Sequence, residues 1–486
     1  MLPFTTLISI DKTAATPVYQ QIANDIVNAI TSGLIKPGAR LPGTRDLANQ
    51  LGLHRKTIIA AYDELSAQSW IEVTQRKSVR VAESLPGFKP QKWDEAMAAG
   101  YSDKMPSHFY PLAATKHVLP KTDYPQIMID DGLCDVRLSP TDLLLREYKT
   151  RMLKSYKRKT VSATLAGGAL SLREALVPYF AETRGLQVKV QNLLITHGAQ
   201  MALYIAANLL LKDGDIIVTG NPNYFVADQV FEQAGAKIIR VPVDQQGMDI
   251  QMVEQVCRQH EIKALYVIPH HHHPTTVTLS PERRLHLLEL ARQHNFAIIE
   301  DDYDYDFHYS SSPYLPLASS RHGGRVIYIG SFSKSISPAL RIGFMAGPVN
   351  FIDEARHFRR LIDLRGDHLM EEALGALLVN GDISRHLKKA NKIYEQRRDH
   401  LCVLLNEHLN EVVEFDKPNG GMAIWVRFKK EYSLPDIAAK AAARGMVMSN
   451  GIAFNTDQDF NAARFGFASL TTDEMEQAIL LLKEII

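Results

Sequence analysis

Arg325-Val-Ile-Tyr-Ile-Gly-Ser-Phe-Ser-Lys-Ser-Ile-Ser-Pro-Ala-Leu-Arg341 is the stretch on which the reading of this chain turns. Its first half is a short apolar, β-branched run, the pattern of a strand buried on both faces. Its second half gathers Ser331, Ser333, Lys334 and Arg341 into the loop that follows. Taken alone, a lysine among serines reads as a solvated loop. The surroundings change that reading. Similar runs are Leu193-Leu-Ile-Thr196, Asp215-Ile-Ile-Val-Thr219, Lys237-Ile-Ile-Arg-Val241, Ala264-Leu-Tyr-Val-Ile268 and Ala297-Ile-Ile-Glu300, separated by amphipathic helical stretches. Such alternation from about residue 140 predicts an α/β body with a mostly parallel central sheet covered on both faces, and a smaller C-terminal α/β part. Ligands of such sheets bind outside the carboxyl ends of the strands.

Three strand ends supply matched groups. Leu193–Thr196 runs into His197-Gly198-Ala199-Gln200, which opens a helix. Backbone N–H groups there, with room made by Gly198, suit a phosphate. The strand from Ala297 ends on Asp301, placed to pair with a protonated ring nitrogen. Lys334, partly desolvated, can condense with an aldehyde as a Schiff base, while Ser331, Ser333 and Arg341 add phosphate partners. Aldehyde, ring nitrogen and phosphate together specify pyridoxal 5'-phosphate.

These residues resemble the fold type I aminotransferase family over roughly residues 130–486. The resemblance implies that Tyr224, in Asn221-Pro-Asn-Tyr224, stacks on the cofactor ring and that Tyr303 contacts its phenolic oxygen. It also implies that Arg464, in Asn461-Ala-Ala-Arg-Phe-Gly-Phe-Ala468, grips the carboxylate of an amino-acid ligand. The sequence departs from the family in two places. Where the family has an Asn-Pro-Thr-Gly-like or Ser-His-Gln-aromatic-Pro loop, this chain has Pro269-His-His-His-His-Pro-Thr-Thr276. His271 and His272 fall on the His-Gln positions and Thr276 replaces glycine. Adjacent histidines converge poorly on one ion, so His270–His273 are read as supplying a donor to the cofactor, His271, with no metal expected. Near Ala163 the family often has a tyrosine that reaches the neighbouring subunit's cofactor phosphate, and none is present here.

The first eighty residues read differently. Val18, Ile22, Ile26 and Ile30 keep helical spacing from Pro17 to a stop at Gly33. A short helix is expected from Thr44, as cap, to Leu51, broken by Gly52. A second should run from about His54 to Ala67 with Ile58, Ile59, Tyr62 and Leu65 inward. Two alternating strands follow between Trp70 and Val81 around Gln75-Arg-Lys-Ser78. Two short helices joined at a glycine are a helix-turn-helix pattern, whose second helix fits the major groove. Arg55, Lys56 and Thr57 occupy its first turn, Arg45 begins the helix before it, and Arg76 and Lys77 sit at the tip of a basic wing. Pro42-Gly-Thr-Arg-Asp-Leu-Ala48, Leu51-Gly-Leu-His-Arg-Lys-Thr-Ile58 and Ala61-Tyr-Asp-Glu-Leu65 resemble the GntR-type DNA-binding domain, a mainly α winged helix-turn-helix, over roughly residues 13–82. The resemblance implies double-stranded operator DNA as a partner. His54 is a poor cap by residue type, and the wing carries no glycine.

Charge agrees with this division. The whole chain of 486 residues has a formal charge of only +1. Residues 1–82 nonetheless carry nine basic and six acidic side chains, and the remainder is slightly acidic. The expected organisation is residues 1–82 as the DNA-binding domain, 83–130 as a proline-containing linker, and 131–486 as the cofactor-binding effector and dimerisation domain. Three scattered cysteines, no apolar run long enough to span a bilayer and no export-type N-terminus lead to an expectation of a cytoplasmic protein without membrane contact.

The union of the two parts resembles the MocR/GabR subfamily of bacterial regulators, over nearly the whole chain. It implies a homodimer whose DNA binding is modulated by pyridoxal phosphate and an amino-group small-molecule effector. Two other readings stay open on sequence alone. One is a catalytically active class I/II aminotransferase with an appended DNA-binding domain. The other is a regulator whose body no longer holds the cofactor.

Overall fold

The computed structural model describes residues 4–74, 78–85, 107–108, 127–157, 165–309, 314–456 and 458–486. Arg76, Lys77, Ala163 and most of the expected linker lie outside the described residues. The chain divides into two compact units, residues 1–113 and 114–486.

In the smaller unit, helices Val18–Thr31, Thr44–Leu51 and Arg55–Ala67 pack around Ile22, Ile26, Leu47, Ile58 and Leu65. Strands Ile71–Thr74 and Ser78–Val81 pair antiparallel, and Arg40–Leu41 adds a third strand. Tyr62 Oη donates to Pro42 O at 2.8 Å, tying the third helix to the turn before the second. Three expectations need correction. Thr44 is the first helical residue, not the cap; Gly43 holds that place without a side-chain bond. His54 caps the next helix after all, its Nδ1 accepting from Lys56 N at 3.2 Å. An imidazole acceptor can do what a hydroxyl usually does there. Ile59 is 36 % exposed, and Ala61 takes the inward place the spacing gave it.

The larger unit is built on an eight-stranded sheet in the order Leu193–Thr196, Gly343–Ala346, Val326–Ser331, Ala297–Asp301, Ile262–Val267, Ile216–Asn221, Lys237–Asp244 and Gly247–Met248. Alternate side chains of one strand feed two cores. Ile299 packs with Leu203, Phe231 and Tyr266 on one face, and Ile298 with Val253, Leu265 and Leu287 on the other. This explains why the strands read as continuous apolar runs. Gly343–Ala346, a four-residue strand, runs antiparallel between two neighbours, and Gly247–Met248 is an antiparallel edge. Beyond the sheet, strands Val413–Phe415, Ala423–Phe428 and Ala462–Gly466 form a smaller antiparallel sheet flanked by Leu434–Ala443 and Thr472–Ile485. Among the described residues no helix is long and apolar enough to cross a membrane.

The antiparallel strand sets the geometry of the ligand end. Because it runs backwards, its first residue, Gly343, lies opposite Thr196 and Ser331, the last residues of the strands on either side. A Cβ on Gly343 would sit 2.8 Å from Ala199 N and inside Gly198. Backbone cannot yield as a flexible side chain can. Gly343→Ala is therefore expected to destabilise the body by roughly 1–3 kcal/mol, the usual range for overpacking. Chemical denaturation that gives wild-type stability for this variant would refute the close approach.

Candidate functional site

The carboxyl ends of five strands and the turn before Gly343 open on one cavity, lined by Ala199, Gln200, Tyr224, His273, Asp301, Tyr303, Ser331, Ser333, Lys334, Arg341 and Asp131 among others. One wall is the start of helix Ala199–Leu210. Its first N–H groups receive no side-chain cap from Gly198, which has φ +80°. Helix starts left in this state favour an anion. Arg341 reaches over the same turn, donating to His197 O at 3.0 Å. A Cβ on Gly198 would lie 2.9 Å from the Arg341 guanidinium, so glycine is what lets the arginine and the helix start face one space. Ser331 Oγ and Ser333 Oγ are 2.9 Å apart beside them. Two hydroxyls, a guanidinium and open N–H groups fit a phosphate.

Asp301 closes the inner end. Oδ2 accepts from Tyr266 Oη at 2.9 Å, whereas Oδ1 is buried with no partner among the described residues. Burial raises its pKa to about 7, with the Tyr266 bond opposing and Asp302 and Asp304 adding to the rise. An orphaned carboxylate oxygen on a cavity that also presents the Tyr224 and Tyr303 rings fits a protonated ring nitrogen. Lys334 Nζ donates to Gly132 O at 2.6 Å. Burial lowers its pKa, partly offset by Asp131. That shift moves the amine towards the neutral, nucleophilic form. The residues present thus fit pyridoxal phosphate at each of its three reactive ends.

Aromatic and basic groups complete the walls. The Tyr224 ring meets His273 edge-on, with centroids 5.0 Å apart. Tyr303 Oη donates to His271 O at 2.9 Å and accepts from Arg464 Nη2 at 3.3 Å. The histidine run splits. His271 does not line the cavity; its Nδ1 pairs with Asp304 at 3.0 Å and its ring tilts against His308. His270 pairs with Asp302 at 3.2 Å and His272 with Thr275 at 3.0 Å. His273 is the cavity residue, its Nε2 on Asp131 Oδ2 at 2.7 Å and its Nδ1 buried without a partner among the described residues. Registering Pro274-Thr275 on the Pro-Thr of an Asn-Pro-Thr-Gly loop would have put His273 on the asparagine. Asp131, the other residue missed, carried no motif. Arg464 is 1 % exposed and sits behind Asp131 and Tyr303 rather than on the cavity wall.

In the smaller unit, helix Arg55–Ala67 buries Ile58, Tyr62 and Leu65 and turns Arg55 and Lys56 outward at its N-terminal end, with Thr57 half-buried. Arg55 Nε donates to Thr44 Oγ1 at 3.4 Å, and Arg45 is exposed on the preceding helix. The two arginines therefore stand exposed near the N-terminal ends of the two helices.

This combination defines the class. Residues 141–481 match the family "Aminotransferase class I and II", and the chain belongs to that family. Residues 18–81 match "Bacterial regulatory proteins, gntR family", so a GntR helix-turn-helix is fused to an aminotransferase-type body. The same fusion brings it close to whole regulators. It is 27 % identical to the probable rhizopine catabolism regulatory protein MocR of Rhizobium meliloti, over 97 % of this chain and 94 % of that protein. It is 26 % identical to the HTH-type transcriptional regulator NorG of Staphylococcus aureus, over 90 % and 98 %. The body superposes on Pyrococcus horikoshii kynurenine aminotransferase, solved in complex with PMP, with a TM-score of 0.68 and 29 % identity over 74 % of this chain and 90 % of that one. The chain is a GntR/MocR-type transcriptional regulator with an aminotransferase-like domain.

Asp301 gives a pH test of the cavity. Its carboxyl is raised from 3.8 to about 7 in the folded protein, so its stabilising contribution is complete below about pH 4 and is lost as pH rises through 7. Cofactor-free Asp301→Asn should therefore gain stability relative to wild type between pH 4 and 7, by at most about 4 kcal/mol at 1.36 kcal/mol per pKa unit. Denaturation curves for the two proteins that shift in parallel with pH would refute this.

Proposed function

We propose that the protein is a pyridoxal-phosphate-dependent transcription regulator, acting as a homodimer in the cytoplasm, in which an amino-group effector at the cavity modulates operator binding by residues 1–82. One observation carries the reading. The partnerless Asp301 oxygen, the uncapped helix start under Arg341, and Lys334 all face a single cavity. Bound there, pyridoxal phosphate supplies an aldehyde that can exchange Lys334 for an incoming primary amine.

Each residue then has a task. Ser331, Ser333, Arg341 and the N–H groups of Ala199 and Gln200 hold the phosphate. Asp301 holds the ring nitrogen protonated, Tyr224 covers a ring face, and His273 takes the role first assigned to His271. Lys334 would carry the aldehyde as an imine and, once replaced by an effector amine, would be a free amine beside Gly132 O. Effector binding shifts the DNA-binding equilibrium only by its differential affinity for the competing states. A second reading, a working aminotransferase, is favoured by Lys334 itself, whose lowered pKa suits proton transfer. Sustained keto-acid production from a panel of amino acids would favour the enzyme.

Two results are expected in gel shifts. Lys334→Ala should keep basal operator binding and lose the effector response, with no visible imine absorbance band; an unchanged response would sink the proposal. Arg55→Ala should weaken operator binding by about 1–3 kcal/mol and relax specificity, whereas Arg45→Ala should weaken operator and random DNA alike. Equal losses on both DNAs for Arg55→Ala would contradict its assignment.

A further inference from the structure

The ligand-facing side of the cavity holds a charge arrangement that the aminotransferase resemblance does not account for. Arg464 is the residue expected to grip a carboxylate, yet it is already engaged. Its Nε lies 2.8 Å from Asp131 Oδ1, its Nη1 donates to Pro274 O at 3.3 Å, and its Nη2 donates to Tyr303 Oη at 3.3 Å. Each nitrogen has a partner, three of the five N–H groups are thereby engaged, and the side chain is 1 % exposed. Asp131 lies between Arg464 and the cavity, with its second oxygen on His273 Nε2 at 2.7 Å. The next residue, Gly132, supplies the carbonyl that accepts from Lys334 Nζ. The carboxylate of this protein's own chain thus stands beside the reactive amine, on the cation where a ligand's carboxylate would go.

We infer that Asp131 is a specificity-determining residue that makes the site one for primary amines lacking a carboxylate on the amine-bearing carbon. The inference rests on the cofactor reading above and narrows its ligand class. The charge count gives the reason. A buried guanidinium needs an anion, and Asp131 supplies it without the entropic cost of capturing a ligand. Because Asp131 lines the cavity and Arg464 does not, a ligand carboxylate would reach the guanidinium only by displacing Asp131 from pairs of 2.8 and 2.7 Å. It would also leave the displaced Asp131 as a like charge nearby, so the exchange returns no net stabilisation. An amine without that carboxylate leaves the pairs intact and needs only Lys334 to be released. Asp131 is half exposed at its side chain, so an uncharged residue there is accommodated without opening a core.

The test compares matched ligands on cofactor-loaded protein: L-phenylalanine with phenethylamine, L-tyrosine with tyramine, and L-lysine with 1,5-diaminopentane. Affinities come from spectral titration and, independently, from the ligand-induced rise in melting temperature. Wild type is expected to bind at least one amine, and to bind it as tightly as the parent amino acid or more so. Asp131→Asn, with Asp131→Ser as a second variant, is expected to move that ratio at least tenfold towards the amino acid. A separate measurement uses cofactor-free protein and acetate: the variants should be stabilised by millimolar acetate and wild type should not. Tenfold preference of wild type for the amino acids, or a ratio that moves less than threefold in both variants, would overturn the assignment. Failure of borohydride to fix a pyridoxyl group on Lys334 of loaded wild type would instead remove the cofactor reading beneath it, a result the acetate measurement keeps distinct.

Discussion

A carboxylate oxygen sealed in a protein with nothing to bond is costly, about 1–3 kcal/mol for a neutral polar group and more for a charge. Asp301 Oδ1 is in that state. Much of the surrounding structure serves to hold it there. The strand Ala297–Asp301 is central in the sheet, Tyr266 from the neighbouring strand fixes the other oxygen, and Asp302 and Asp304 repel the charge from behind. His273 Nδ1 is a second orphan in the same cavity. Buried polar groups in native proteins are nearly always satisfied, so two unsatisfied ones facing one space mark where a polar ligand completes the fold. Lys334 and the uncapped helix start beneath Arg341 belong to the same unfinished set.

Much of this was legible in the sequence because it depends on local chemistry. The apolar runs ending at Thr196, Asp301 and Ser331 are strands, and Gly198, Asp301, Ser331, Ser333, Lys334 and Arg341 converge around one cavity as the strand-end argument required. What escaped was fixed by tertiary contact. Gly343-Phe-Met-Ala346 starts on glycine and has no β-branched residue to announce a strand, and its antiparallel direction comes from its neighbours. In the histidine run every residue is polar and adjacent, so spacing cannot tell which faces the ligand. Backbone geometry decides, turning His271 to Asp304 and His273 to Asp131. Ile59 shows the same limit at smaller scale: helical period put it inward, and the width of the buried stripe left it out.

The pair of Asp131 and Arg464 shows why a matched motif is weaker evidence than a matched environment. Arg464 lies in the segment expected of it, and its neighbour across the small sheet is Trp425. Its chemistry is set by a residue far away in sequence, which supplies the negative charge a ligand would otherwise bring. A guanidinium identified by motif is a binding group only if a ligand can reach it. Here Asp131 lines the cavity and pairs with Arg464, which does not line it, so access and the charge already paired bear on recognition as much as the identity of the residue.

The position of Asp131 along the chain also bears on how the cavity could act on DNA. The described structure resumes at Ile127 after the connector from the smaller unit, and Ile127–Met128 pairs with Met446–Val447. The chain then passes directly through Asp130, Asp131 and Gly132, whose groups bond Ser469, Arg464, His273 and Lys334. With pyridoxal phosphate bound, Asp301 and the phosphate cradle would hold the cofactor, and Lys334 would be the group that an incoming amine replaces. Its release would leave a free amine able to donate to Gly132 O, the bond seen in this structure. Under the proposed function, the free energy available to a switch is bounded by the ligand's differential affinity for the competing states.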